Sequence, residues 1–192
     1  ARRNLLTENL NDFLNNISVK EENIITEIDL EEIIQSGEHS HLEFKSTLRW
    51  NLDKLTVDKK MEEVILKSIS AFSNGDGGKL LIGVADDGEI LGLEDDYNSL
   101  KEANKDYFEI HLRNLINNNF GNEFSVTGIH FKFPLIDEIE LCEIDIQAGS
   151  KPIFLEVTDK NGLKQKKFYV RSGNSSQELA IDEVSSYIKN RF

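Results

Sequence analysis

The chain has 192 residues, 39% hydrophobic and 30% charged, with 22 basic against 35 acidic side chains and a net charge of -13. That length suits one core with a short appendage rather than two domains, and no apolar run approaches the ~20 residues that span a bilayer. A single cysteine, Cys142, excludes an internal disulfide and a cysteine-based zinc site and suits a reducing cytoplasm. The acidic total argues against a general nucleic-acid coat, whose affinity comes from Lys and Arg on phosphates.

The opening ARRNLLTENL has no apolar segment of a secretory leader, and the lack of an initiator Met suggests a piece of a longer chain with other domains. Leu6, Leu10, Phe13, Leu14 and Ile17 recur at helical spacing and predict an amphipathic helix, so residues 1–22 read as a helix or linker and 23–192 as the domain. Asp29 is placed to cap a short helix ending at Gly37. In residues 38–47 Leu42 and Phe44 alternate with Glu43 and Lys45, predicting a half-buried strand with the charged pair on its other face.

Asp58 predicts the cap of a helix through Ser73 whose inner face is Met61, Val64, Ile65, Ser68, Ile69 and Phe72, with Asn74 to Gly78 ending it. Leu80, Leu81, Ile82 and Val84 then read as a strand buried on both faces, with Asp86 and Asp87 at its end and Glu89 to Leu93 as an antiparallel return. A long helix from about Ser99 to Asn118 follows, with Leu100, Tyr107, Phe108, His111, Leu112 and Leu115 inward. Strands are expected over Phe124–Phe133, Ile139–Ile146, Ile153–Val157 and Lys167–Arg171. A basic turn lies at 158–164, and a last helix begins near Ser175 or Ser176. The order predicts an α+β fold: a mostly antiparallel mixed sheet flanked by helices. GDGGKL lacks the Walker spacing and the Ser/Thr that would hold magnesium, so no nucleotide cofactor is expected.

Charge is unevenly distributed. Residues 1–38 carry three basic and nine acidic side chains, while Lys151, Lys160, Lys164, Lys166, Lys167 and Arg171 face only Glu156 and Asp159 over 151–171. A polarised surface can therefore sit behind an acidic total.

Glu38 and Glu43 flank the turn into the first strand, and Asp86 or Asp87 ends its neighbour. Converging carboxylates bind a divalent cation, as metal-assisted phosphodiester hydrolysis requires, and Lys45 on the Glu43 face is placed to touch phosphate. The alternative is a solvated Glu43–Lys45 pair and a plain hairpin turn at Asp86-Asp87-Gly88. Other residues carry similar alternatives. His39 and His41 are metal ligands or surface groups, and His111 and His130 read as structural. Arg49 and Trp50 stack on a base or cover the sheet. The Lys160–Lys167 turn tracks a nucleic-acid backbone or is a solvated tip.

Four ordered motifs, Glu38-His-Ser-His-Leu-Glu43-Phe44-Lys45, Ser70-Ala71-Phe72-Ser73-Asn74 with Gly77-Gly78, Leu81-Ile82-Gly83-Val84 with Asp87-Gly88 and Gly92, and Phe168-Tyr169-Val170-Arg171-Ser172-Gly173, resemble the Schlafen/AlbA_2 domain family over roughly residues 25–190. The resemblance implies nucleic-acid binding, to DNA as in bacterial regulators or to structured RNA such as tRNA as in Schlafen endoribonucleases. For a nuclease it implies Glu38, Glu43 and Asp86 as catalytic ligands of Mg2+ or Mn2+, with Asp87 as rival because Ala85 stands where the family often has an acidic residue. With it, Lys45 on the Glu43 face is expected as a phosphate contact, and Arg49, Lys164, Lys166, Lys167 and the motif residue Arg171 as nucleic-acid contacts. Arg171 and the serines after it would bind phosphate at the start of the last helix, or simply cap it. Schlafen nucleases pair two such lobes, which implies a homodimer here. A non-catalytic binding or regulatory module, or a dimerisation domain of a larger defence protein, are the alternatives, with no membrane partner and a cytoplasmic location.

Overall fold

The computed structural model describes residues 30–192; the helix expected over 3–17, the 1–22 segment and the Asp29 cap lie outside them. Helix α1 (30–35) exits through Gly37, whose φ of 71° is the left-handed conformation expected there. Strand β1 (Leu42–Lys45) follows, and a short hairpin of β2 (Trp50–Asn51) and β3 (Thr56–Val57) leads to α2 (Lys59–Asn74). Asp58 caps α2, its carboxylate accepting the Lys60 N–H at 3.0 Å. Ile65, Ser68, Ile69 and Phe72 are buried, whereas Val64 turns outward.

The apolar run forms β4 (Gly78–Ile82). Its expected return over Glu89–Leu93 reduces to one bridge, Val84 to Ile90, because both edges of β4 are already taken. The helix expected from about Ser99 to Asn118 is α4 (Lys105–Phe120), which starts later, where the Asn104 side chain accepts the Tyr107 N–H at 2.8 Å, and a short α3 (Glu94–Asn98) precedes it. The strand expected from Phe124 is instead α5 (Asn122–Thr127) followed by β5 (Ile129–Lys132). Phe124 packs edge-on against Phe120 at 5.6 Å, which turns that segment back onto α4.

The Ile139–Ile146 strand divides at buried Leu141. Its first part, β7 (Ile139–Glu140), pairs with β6 (Leu135–Ile136), and its second, β8 (Cys142–Ile146), enters the sheet. Strands β9 (Leu155–Thr158) and β10 (Lys164–Lys167) form one hairpin, β11 (Tyr169–Ser172) and β12 (Ser175–Glu178) another. Ser175 and Ser176 therefore begin a strand, not the last helix: they pair with Ser172 and Arg171 across a turn in which Gly173 has φ 60°. The helix, α6 (Ile181–Arg191), starts later, where the Glu183 carboxylate accepts the Ala180 N–H at 3.1 Å.

The main sheet has the order β1-β4-β8-β5, parallel between β1 and β4 and antiparallel elsewhere, the α+β architecture expected. Period-two alternation gives it two apolar faces. On one, Leu80, Ile82, Cys142 and Ile144 pack with Ile65, Ile69 and Phe72 of α2 and Phe108, Leu112 and Ile116 of α4. On the other, Leu42, Phe44, Leu81 and Val84 pack with Leu30 and Ile34 of α1. Glu43 and Lys45 alternate with Leu42 and Phe44, so they project on the α2 side, and Glu43 is drawn into the interior. No helix among the described residues is long and apolar enough to cross a membrane.

Candidate functional site

Glu43 is the centre of a polar cluster between β1, α2 and β11. It is 7% exposed, so solvation of its charge falls largely to protein groups. One oxygen accepts from the Ser68 hydroxyl at 2.6 Å and from Lys45 Nζ at 2.9 Å, and the other accepts from Arg171 Nη1. Burial pushes the carboxyl up, but Lys45, Ser68 and Arg171 outweigh it and hold it below the ordinary 4.5. Arg171 also donates to the His39 carbonyl at 3.0 Å and the Ser176 hydroxyl at 3.2 Å, and its guanidinium lies 4.4 Å from the centre of the Phe72 ring. It locks the turn before β1, helix α2 and the β11–β12 hairpin together.

Lys45 ties the second glutamate to this cluster. Its ammonium stands 3.9 Å from Glu38, whose carboxylate also accepts the Phe44 N–H at 2.8 Å. Lys45 and Asp86 line one recess of about 250 Å3 with Ser46 and Thr47. Asp87 points elsewhere, its carboxylate accepting the Glu89 N–H at 3.1 Å as a turn residue. Of the two rivals, Asp86 is the one that lines the recess with Lys45, and it is exposed and without a partner among the described residues.

The remaining expected contacts are scattered. Arg171 lies on β11 with a side chain 6% exposed, away from any helix start. Arg49 turns inward to Glu62 at 3.1 Å, where His111 also meets that carboxylate at 2.9 Å. On the β9–β10 hairpin Lys164 is paired with Glu156 at 2.6 Å and Lys167 with Glu178 at 2.8 Å, while Lys166 is exposed. His39 and His41 are exposed.

Sequence reasoning missed Ser68 as a partner of Glu43, although a serine inside the apolar stripe of α2 was the signal. It also missed Asp96. This 1% exposed carboxylate accepts the successive N–H groups of Leu48, Arg49 and Trp50 at 2.6, 2.9 and 3.0 Å and so fixes the chain leaving β1. Burial pushes its carboxyl up against the pull of those three donors. No local pattern announced it, since the partners are nearly fifty positions away.

The cluster as arranged does not fit a divalent cation. Among the described residues no group of three or more His, Cys, Asp or Glu side chains is arranged to hold a metal ion. Both Glu43 oxygens already accept from cationic or hydroxyl donors, and Lys45 and Arg171 offset the charge that a hard cation would be drawn to.

The profile of the Schlafen, AlbA_2 family matches residues 38–180, which span every residue of this cluster. Among solved structures, the DIP2311 protein of Corynebacterium diphtheriae is similar with a TM-score of 0.54 and 16% identity over 90% of this chain. The chain covers 29% of that protein's length. The N-terminal domain of a RecG-related protein from Nitrosomonas europaea aligns with a TM-score of 0.46 and 18% identity, over 80% of this chain and 92% of its own.

Proposed function

Since the chain belongs to the Schlafen AlbA_2 family, we propose that it is a nucleic-acid-binding domain whose phosphate contact is Lys45. The observation that carries this is the fixed position of that ammonium. Glu43 at 2.9 Å holds it, Glu38 lies at 3.9 Å, and it opens with the Ser46 side chain onto the recess that Asp86 also lines. A cation held by buried acceptors loses little side-chain freedom on meeting a phosphate, which favours binding. Asp86 offers a free acceptor to a sugar hydroxyl or a base amino group beside it.

Measuring the affinity of single-stranded RNA and DNA oligonucleotides by fluorescence anisotropy tests the reading. Lys45→Ala should weaken binding about tenfold and lower the slope of log K against log salt by roughly 0.7, the share of one phosphate contact on a single strand. Unchanged affinity and slope would place the contact elsewhere.

A second reading, a divalent-metal-dependent endoribonuclease acting on structured RNA such as tRNA, is favoured by the placement of Glu38 and Glu43 beside Lys45, with Asp86 on the recess that Lys45 also lines. It needs Glu43 released from Arg171. Intact tRNA after incubation of folded protein with Mg2+ or Mn2+ would remove this reading, whereas cleavage abolished by Glu43→Gln would establish it.

A further inference from the structure

We infer that a second site, distant from Lys45 along the fold, takes a nucleobase unstacked from a single strand, in the groove between the end of α2, helix α5 and residues 147–153. This rests on the nucleic-acid reading above. The groove holds about 560 Å3, within the roughly 300–1,000 Å3 of pockets that bury small ligands. Its apolar side is formed by the partly exposed rings of Phe120 and Phe124, set edge to face, together with Ile153. On its polar side the Thr127 hydroxyl donates to the Glu123 carbonyl at 2.9 Å and keeps lone pairs free, and the Gln147 amide has no side-chain partner among the described residues. Lys151 at the mouth is already paired with Glu123 at 3.2 Å. A planar ring with apolar faces and a hydrogen-bonding edge matches that division of surfaces.

The groove is built by Ser73 and Asn74, motif residues with no part in the Glu43 cluster. The Asn74 side chain holds both the N–H and the carbonyl of Ile153, each at 2.9 Å. The Gly149 N–H donates to the Ser73 carbonyl at 2.8 Å, and the Gln147 N–H to the Gly128 carbonyl at 2.9 Å. A Cβ at position 149 would stand 2.7 Å from Ser73 Oγ, so only glycine lets this wall lie so close against the helix. The Ser73 hydroxyl in that wall is fully buried and has no partner among the described residues.

Titrating the full chain with AMP, GMP, CMP, UMP and ribose 5-phosphate, followed by amide NMR shifts, tests the site, with a 2-aminopurine-labelled single strand as the second probe. Nucleotides should shift Thr127, Gln147 and Ser150, and Gln147→Ala should weaken that binding about fivefold. Equal shifts from ribose 5-phosphate would overturn base recognition. If the strand binds but these amides stay still and Gln147→Ala matches wild type, this inference falls and the Lys45 reading stands. If nucleotides shift them while no strand binds, the groove takes free nucleotides only, and both the strand-borne base and the Lys45 reading fall.

Discussion

Arg171 carries the largest single consequence of any side chain in the cluster, because its removal would strand a buried carboxylate. Its side chain and that of Glu43 are 6% and 9% exposed. Breaking such a pair from one side costs about 3 kcal/mol, so Arg171→Ala should lower the unfolding free energy by that amount in a urea titration. Arg171→Lys should recover little, since one ammonium cannot serve Glu43, the His39 carbonyl and Ser176 together. Glu43 also sets a pH dependence. Its folded carboxyl lies below its unfolded value of 4.5, so the stability it contributes is complete above pH 4.5 and is lost as pH falls through the lower folded value. Glu43→Gln should therefore flatten the fall in stability below pH 4.5, measured as the urea midpoint against pH. The sequence displayed Glu43, Lys45 and Glu38 plainly, through alternation and motif. It did not display their partners, and solvation of the Glu43–Lys45 pair was the wrong alternative because α2 packs on that side of β1.

At the scale of elements, local signals served where a backbone end or a single residue decides. The Asp58 cap and the Gly37 exit formed where expected because both act within a few residues. The departures share one cause: neighbours in space, not sequence, chose the element. Phe124 met Phe120 and made a helical turn of an apparent strand, and Ser175 and Ser176 met β11 and made a strand of an apparent helix start. The β6–β7 turn adds a test. Asp137 and Glu138 have φ of 49° and 67°, the left-handed pair of a tight hairpin, at a cost to a residue that carries a Cβ. Glu138→Gly should raise stability by up to about 1 kcal/mol, the relief of strain exceeding the added freedom of the unfolded chain. A lowered denaturation midpoint would show that the turn is not strained.

For the molecule as a whole, a net charge of -13 means that folding gathers like charges. Screening should help: raising NaCl from about 10 to 200 mM shortens the Debye length from roughly 30 to below 10 Å, and the thermal midpoint should rise over that range. A midpoint that falls would mean that ion pairs such as Lys164–Glu156 outweigh the general repulsion. By itself the sequence determined the class of fold, the buried central strand, the Asp58 cap, the Gly37 exit and the motif residues, because each is written in periodicities and turn residues within a short window. Only the tertiary structure decided what those residues meet. It brought Arg171 to Glu43 across 128 positions and Asp96 to Leu48 across 48, and it set Asp86 rather than Asp87 on the recess that Lys45 lines. Such pairings depend on strand order and hairpin placement, which no local pattern encodes, and a buried charge accepts whichever opposite group that packing delivers.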